Sequence, residues 1–261
     1  MIRGIDHLVI AVPDPDAAAD ELESTLGVAC TAGGRHTGAG TFNRIAWLAD
    51  GAYLELIGVE DRALAERSPV GAAALRTLDE RGAGLAAYAL LVDDLTAVVA
   101  GLRANGSAIG EPVSGSRTNA DGELVAWAIA VPSRLGGDGL PFLIQHQPTG
   151  REWDPAGVAA RGAQRHPLGS AVRLARLDIA TADPVSRAAD HAAQLGVEFW
   201  AVADLAVVEL GPHVVRLVPP REMSHPAVVT LDAEIEAAVT ADLFGMRFDI
   251  ARVVQPVTVG R

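Results

Sequence analysis

Residues 5–15 read IDHLVIAVPDP. The centre of this stretch is a short apolar run rich in β-branched side chains, and it ends in a Pro-Asp turn, which predicts a strand that runs straight into a helix start. Asp14 is placed to cap that helix, Pro15 fits its first position, and Asp16 suits its first turn. Ala17, Ala18, Leu22 and Leu26 give the helix an apolar face, and Gly27 stands where a helix ends in a left-handed residue. A strand is expected at residues 28–32, followed by a glycine-rich loop, GGRHTGAG. Two further strands are expected at 42–49 and 52–59, joined across the hairpin signal Asp50-Gly51.

The same order recurs. LAAYALLVDDL, residues 85–95, is a strand that ends at Asp93-Asp94, and a helix follows as far as Asn105-Gly106. Strands are expected near 108–113, 124–131 and 140–147, with polar loops SGSRTNADGE and PSRLGGDG between them. A third copy begins at Arg176: ARLDIATADP repeats the grammar of HLVIAVPDP, its helix starts at Asp183-Pro184, and Gly196 follows Gly27 at the offset that relates Arg176 to His7. Its strands are expected near 199–202, 205–210 and 213–218, with shorter loops. Internal repetition on this scale means that each unit has a face it cannot bury alone. The prediction is an α+β fold: tandem βαβββ modules forming a cupped, U-shaped mixed β-sheet with helices on its outer face, plus a truncated third module. The expected divisions are 1–67, 68–148 with a leading helix, a linker at 149–170, 171–220, and an extension at 221–261. That extension holds strand-like pieces (AVVTLD, RVVQPVTV) and a short helix, AEIEAAVTADLFG, with no assigned place.

The totals narrow the function. Hydrophobic residues make up 49% of 261, which argues against disorder. Aromatic residues are 4% and the net charge is −12, so a base-stacking, phosphate-binding surface is not expected, nor is attachment to anionic lipid. No run approaches the ~20 apolar residues of a membrane helix. The opening MIRGIDHLVIAVP enters a strand at once, without a basic leader, and the single cysteine, Cys30, fits a reducing compartment. The expectation is a cytoplasmic monomer or homodimer whose partner is a small molecule. Cys30 lies in apolar GVACTA and reads as a small buried hydrophobe.

Strand alternation sorts the candidate site. Ile5, His7, Val9 and Ala11 fall on one face of the first strand, and Tyr53, Glu55 and Ile57 on one face of the fourth. His7 and Glu55 are therefore ionisable groups inside apolar strands, a costly placement unless they are paired, protonated or bound to something. Imidazole and carboxylate are ligands a divalent metal accepts, and a buried hydrogen-bonded pair is the competing reading. His36 lies in the glycine-rich loop, as a catalytic or ligating group or a solvated one. Asn43 alternates with Ile45 and Trp47 and is a candidate polar contact or a plain edge residue. Trp47 and Trp127 occupy matching strands as core or cup wall. Gln145 and His146 lie on opposite faces of one strand, so only one enters the cup; register favours Gln145, while imidazole is the better ligand. His166, before Pro167, reads as a surface turn or a site residue, and Arg117 and Asp121 as a solvated turn. Neither a GxSxG elbow nor an HExxH helix occurs, and Gly38-Ala39-Gly40 and Gly82-Ala83-Gly84 precede strands rather than helices, which excludes a phosphate cradle.

With His in the first strand (IDHLVIAV) and Glu in the fourth (YLELIGV), the βαβββ repeat resembles the vicinal oxygen chelate superfamily. GGRHTGAGTFNRIAWLADGAYLELIGV, LPFLIQHQP and RHPLGSA look more narrowly like its glyoxalase-like domain proteins, over about residues 3–220. The resemblance implies paired modules around a divalent metal (Zn, Ni, Mn or Fe) held at the first-strand and fourth-strand positions of both. The first module matches with His7 and Glu55. The second departs: Ala87 stands at the His7 position and Gln145 at the Glu55 position. A triad of His7, Glu55 and one of Gln145, His146 or His36 is what the resemblance leaves. It implies a metal-dependent lyase or isomerase with Glu55 and His36 as catalytic groups, His7, Glu55 and His146 as ligands, and Asn43, Trp47, Trp127 and Gln145 against substrate. The alternative is a metal-free binding or sequestering protein without catalysis.

Overall fold

The computed structural model describes residues 1–253 apart from 120, 134, 137, 138 and 149. The first unit is β1 (Ile2–Ala11), α1 (Pro15–Leu26), β2 (Thr31–His36), β3 (Thr41–Trp47) and β4 (Tyr53–Val59). Two connecting helices, α2 (Arg62–Ala65) and α3 (Pro69–Arg81), lead to β5 (Gly84–Val92), α4 (Leu95–Ala104), β6 (Val113–Asn119), β7 (Leu124–Ala130) and β8 (Phe142–His146). Short helices α5 (Gly150–Trp153) and α6 (Pro155–Gly162) follow. The third unit is β9 (Val172–Ala180), α7 (Pro184–Leu195), β10 (Trp200–Val202), β11 (Leu205–Leu210) and β12 (His213–Val218), and the chain continues through β13 (Ala227–Ala233), β14 (Val239–Leu243) and β15 (Met246–Arg252). None of the described helices is long and apolar enough to cross a membrane.

The helix starts follow one local rule. Asp14 accepts hydrogen bonds from the backbone N–H groups of Asp16 and Ala17, Asp94 from Ala97, and Asp183 from Ser186, each satisfying donors a helix start leaves open. Gly27 and Gly196 close α1 and α7 at φ 67° and 63°, a conformation a Cβ disfavours.

The first two units do not form an open cup. Their strands close into an eight-stranded barrel in the order β1-β4-β3-β2-β6-β7-β8-β5, because β2 pairs with β6 through Gly34–Asn119 and Arg35–Thr118. The difference comes from where the second strand of each unit lies. It occupies the glycine-rich segments at 31–36 and 113–119, not the more apolar segments just before them. A Cβ on Gly34 would stand 2.2 Å from the carbonyl oxygen of Thr118, and one on Gly115 would stand 2.4 Å from the indole nitrogen of Trp127. Glycine there is a condition of the close approach rather than a loop signal.

The second sheet, β10-β11-β12-β9-β13-β15-β14, repeats the barrel's order. β12 runs parallel to β9 as β4 does to β1, and β13 antiparallel to β9 as β5 does to β1. Nothing among the described residues stands where β6 stands in the barrel, so this sheet stays open, with β10 and β14 at its edges. The segment read as a helix, 233–245, instead contains β14 and a hairpin turned at Phe244 and Gly245, both at positive φ (53° and 66°). Pairing with β15 overrides the helix propensity of its alanines. Of the strand-like RVVQPVTV, residues 254–259 lie outside the described residues.

Ile5, Leu8 and Ile10 on the barrel's outer face share one core with Leu174, Leu177 and Ile179 of β9. His191 of α7 is fully buried at this junction. Its Nδ1 faces the Arg187 carbonyl oxygen at 2.8 Å, so Nδ1 carries the proton and Nε2 accepts from the Tyr88 hydroxyl at 3.0 Å. Burial lowers the His191 imidazole to about 4. Its folded value thus lies below its unfolded one, and the stability it protects, full above the unfolded value, is lost as pH falls from about 6.5 to 4, by up to about 3 kcal/mol. His36 and His166, also lowered by burial, act in the same direction. Urea midpoints between pH 7 and 4 should fall steeply for the natural protein and less steeply for His191→Gln; parallel curves would exclude this role for His191.

Candidate functional site

Inward side chains of β1 to β4 and β6 to β8, with the N-terminal end of α3 and part of α5, enclose a cavity of about 370 Å³. Much of the wall is apolar, with Ile57, Val125, Ile129, Phe142 and Ile144 among its residues. One side is polar, and it is there that His7 and Glu55 meet.

A break in strand register builds this side. Between β1 and β5 the pairing passes from Ile5–Leu90 to His7–Ala89, so Asp6 is an extra residue. The bulge reverses alternation at one point. Ile5 therefore packs in the outer core, while His7 shares the inner face with Val9 and Ala11. Asp6, 2% exposed, lies behind the cavity between two imidazoles. Its Oδ1 is 2.6 Å from His7 Nδ1, and its two oxygens are 3.0 and 3.1 Å from His146 Nε2. Burial by itself would raise the Asp6 carboxyl, but His146 and His7 outweigh it and hold it well below the usual carboxylate range. An ionised carboxylate only accepts, so both imidazoles meet it with an N–H. That fixes the tautomer: His7 turns Nε2 towards Glu55 Oε2, 3.6 Å away.

Glu55 is held from the other side. Asn43 Nδ2 donates to Glu55 Oε1 at 2.6 Å, and Asn43 Oδ1 accepts from the Gly34 backbone at 2.9 Å. His36 is set by Thr41 Oγ1 at 2.9 Å from Nδ1 and stands 3.9 Å from Glu55 Oε1 through Nε2; burial lowers its imidazole, which favours the neutral ring. Tyr53 stacks on His7 with centroids 4.5 Å apart, and burial raises its phenol well above the ordinary value, so it keeps its proton.

Other expected residues lie elsewhere. Gln145 turns out of the barrel: its Oε1 accepts from Leu95 N and its Nε2 donates to the Asp93 carbonyl, tying β8 to the start of α4. His146 is the residue that enters, stacked on Trp153 at 3.4 Å. Trp127 lines the cavity, edge-on to His36. Trp47 sits behind the wall, against Tyr53 and Trp153. Cys30 is half-buried, and burial pushes its thiol up to about 12, which suppresses thiolate chemistry. His166 is buried rather than in a surface turn; it accepts from Ala29 N and donates to the Trp47 carbonyl. Asp121 is exposed, but Arg117, expected in the same solvated turn, lies on β6 and is buried on the cavity wall.

Residues 150–162, read as linker, supply three groups that the sequence did not single out. Glu152 and Trp153 line the cavity, and Arg161 lies over the Trp153 ring at 3.7 Å and over Trp47 at 4.3 Å. Its Nε and Nη1 are buried without hydrogen-bond partners among the described residues, so the aromatic faces are what receive the cation. A tryptophan in polar GREWDPAG was the available signal.

Among the described residues the donors do not assemble a metal site. His7 Nε2 and Glu55 Oε2 lie at a spacing two ligands of one ion could share, but His146 has turned its Nε2 to Asp6 and His36 is nearest the other Glu55 oxygen. Among the described residues no three histidine, cysteine, aspartate or glutamate side chains converge as an ion requires.

A family model described as a glyoxalase-like domain matches residues 5–196. No curated protein matches the chain in sequence. A solved structure of a hypothetical protein from Staphylococcus aureus overlays with a TM-score of 0.78 at 14% identity, over 95% of this chain and 99% of that one. A triple mutant of 4-hydroxymandelate synthase from Streptomyces coelicolor overlays at 0.53 and 14% identity, over 89% and 71%. Methylmalonyl-CoA epimerase from Mycobacterium tuberculosis gives 0.43 and 22% identity, over 57% and 91%. At these identities the first two likenesses are of fold alone.

Proposed function

The chain belongs to the glyoxalase-like domain family of the vicinal oxygen chelate superfamily, and from that premise we propose that its barrel binds a small carbonyl compound and transfers a proton on it. The observation that carries this reading is the His7–Glu55 pair: two titratable groups aimed at each other across 3.6 Å, each held from behind, on the wall of a largely apolar cavity. That spacing is too long for a good hydrogen bond, so neither atom is tied up by the other and both remain available to a substrate lying alongside them. Glu55 takes the proton from the carbon beside the carbonyl, because Asn43 holds its Oε1 while Oε2 faces His7 on the cavity wall. His7, kept in one orientation by its Nδ1–H on Asp6, turns Nε2 to the oxygen on which charge develops and, with both ring nitrogens protonated, donates there. His36 and Asn43 fix the Glu55 carboxylate, and Tyr53 and Phe142 flank the His7 ring. This places the reaction among isomerisations and lyase reactions that pass through an enolate.

A second reading is a binder without catalysis. It is favoured by the second unit's contribution: Ala87 packs inside the barrel at the His7 position, and Gln145 points away. One experiment separates the two. The protein is incubated in D2O with a panel of small ketones, 2-hydroxyketones and thioesters, and loss of the proton beside the carbonyl is followed by NMR. The enzyme reading expects exchange in at least one compound and a rate about 100-fold lower in Glu55→Gln, within the range general base catalysis supplies. Binding without exchange, identical in the natural protein and Glu55→Gln, would leave the binder.

A further inference from the structure

We propose that Arg117 anchors the carboxylate of an acidic ligand, and that Glu152 is the resident counter-ion such a ligand displaces. This rests on the cavity reading above and names its ligand class. Arg117 projects inwards from β6, is 5% exposed, and lines the cavity. The proton transfer assigned to His7 and Glu55 makes no use of it.

The guanidinium has two partners of different kinds. Nη1 donates to the Gly33 carbonyl oxygen at 3.0 Å, and Gly33 belongs to β2 of the barrel wall. Nη2 pairs with the Glu152 carboxylate. Glu152 is not on the barrel: it is carried by the four-residue α5, and it too lines the cavity. A buried guanidinium stripped of its counter-ion is strongly disfavoured, so an anion is needed at this place whether or not a ligand is present. The guanidinium fork matches a carboxylate in two parallel hydrogen bonds, and an incoming carboxylate reproduces what Glu152 supplies. Glu152 is the partner placed to leave, because its carrier is short and its side chain, 14% exposed against 5% for Arg117, is the more accessible of the two.

The surroundings of Arg117 define the rest of the ligand. Arg117 pairs across the ladder with Val125, and Gly115, two residues away on the same face, pairs with Trp127. The Trp127 indole lies so close over Gly115 that a Cβ there would meet its nitrogen at 2.4 Å. A flat apolar surface therefore begins beside the guanidinium and continues along Ile129. The ligand class is a monocarboxylate with an aromatic or branched apolar body.

The test uses phenylacetate and phenylacetamide, which match in size and shape while only the first carries a charged, acceptor-only end group, with the full-length protein and ligand-observed NMR. Phenylacetate should bind at least tenfold more tightly than the amide. Arg117→Met should bring the two to parity. Glu152→Gln, which keeps the side chain's shape, should strengthen phenylacetate binding about tenfold and leave the amide unchanged. A purely structural ion pair predicts the opposite: both substitutions would weaken binding together, and that result overturns the proposal. Equal binding of acid and amide to the natural protein also overturns it, while leaving the cavity reading intact. Binding of neither probe overturns both. Glu152→Gln carries the test alone if Arg117→Met does not fold.

Discussion

Asp6→Asn should lower the thermal unfolding midpoint by on the order of 10 °C at pH 7. The carboxylate is buried and accepts N–H groups from both His7 and His146. A hydrogen bond to a charged group contributes about 1.5–3 kcal/mol, so the two together contribute roughly 3–6 kcal/mol, and each kcal/mol is about 2–4 °C in a chain of this size. Asparagine keeps the shape, but with one oxygen and one NH2 it can accept from only one imidazole and must point a donor at the other. The effect also carries a pH signature. The two histidines hold the folded Asp6 carboxyl well below its unfolded value, in spite of burial, so its contribution is complete above the unfolded value of about 3.9 and is lost progressively as pH falls from there towards the folded value. The gap between the natural protein and Asp6→Asn should therefore be constant from pH 7 to about 5 and narrow below about 4. Urea denaturation at each pH measures it. A difference under 1 kcal/mol at pH 7, or a gap indifferent to pH, would mean that Asp6 does not bridge the two imidazoles.

Asp6 also marks the boundary of what the sequence discloses. His7 and Glu55 were legible because strand alternation is a local property, and both stand out as ionisable groups in apolar runs. The helix starts at Asp14, Asp94 and Asp183 were legible for the same reason, since a cap acts within three residues. A bulge is set by the register of a partner strand some 80 residues away, and nothing in IDHLV announces that Asp6 will turn inwards with His7. The third unit keeps this break: β13 pairs Thr230 with Arg176 and then Leu231 with Leu174, skipping Ala175. Ala175 stands where Asp6 stands in the first unit, so the bulge belongs to the repeated backbone and does not depend on the carboxylate. Gln145 and His146 were inverted by a related cause, because spacing across loops of unequal length does not carry register. Arg117 was hidden in a segment whose glycines and hydroxyls resemble a loop; those residues are small because another strand or ring lies against them. Trp153 and Arg161 come from outside the repeat, where no periodicity marks them.

Gly34→Val should open the barrel. The seam between β2 and β6 is its narrowest ladder, resting on the pairs Gly34–Asn119 and Arg35–Thr118. A Cβ at Gly34 would sit 2.2 Å from the Thr118 carbonyl oxygen, which is backbone and cannot rotate aside as a side chain would. The strands must therefore part. The expected cost is about 3 kcal/mol, the upper part of the range for overpacking, and the wall of the cavity loses continuity at the point where Arg117 reaches the Gly33 carbonyl. Gly38 is the control: it lies in the same glycine-rich stretch, and a Cβ there meets nothing within 4 Å, so Gly38→Val should stay within about 0.5 kcal/mol of the natural protein. Amide hydrogen exchange gives the decisive readout. Protection should fall in β2 and β6 and persist in β1, β4 and β5, whose ladders do not pass through the seam. Unchanged protection in β2 and β6 of Gly34→Val would show that the closure is not what glycine there provides. Local opening rather than global unfolding is expected because the same strand order already exists in open form in this chain: β10 to β14 make a sheet without closure, on the same shared core.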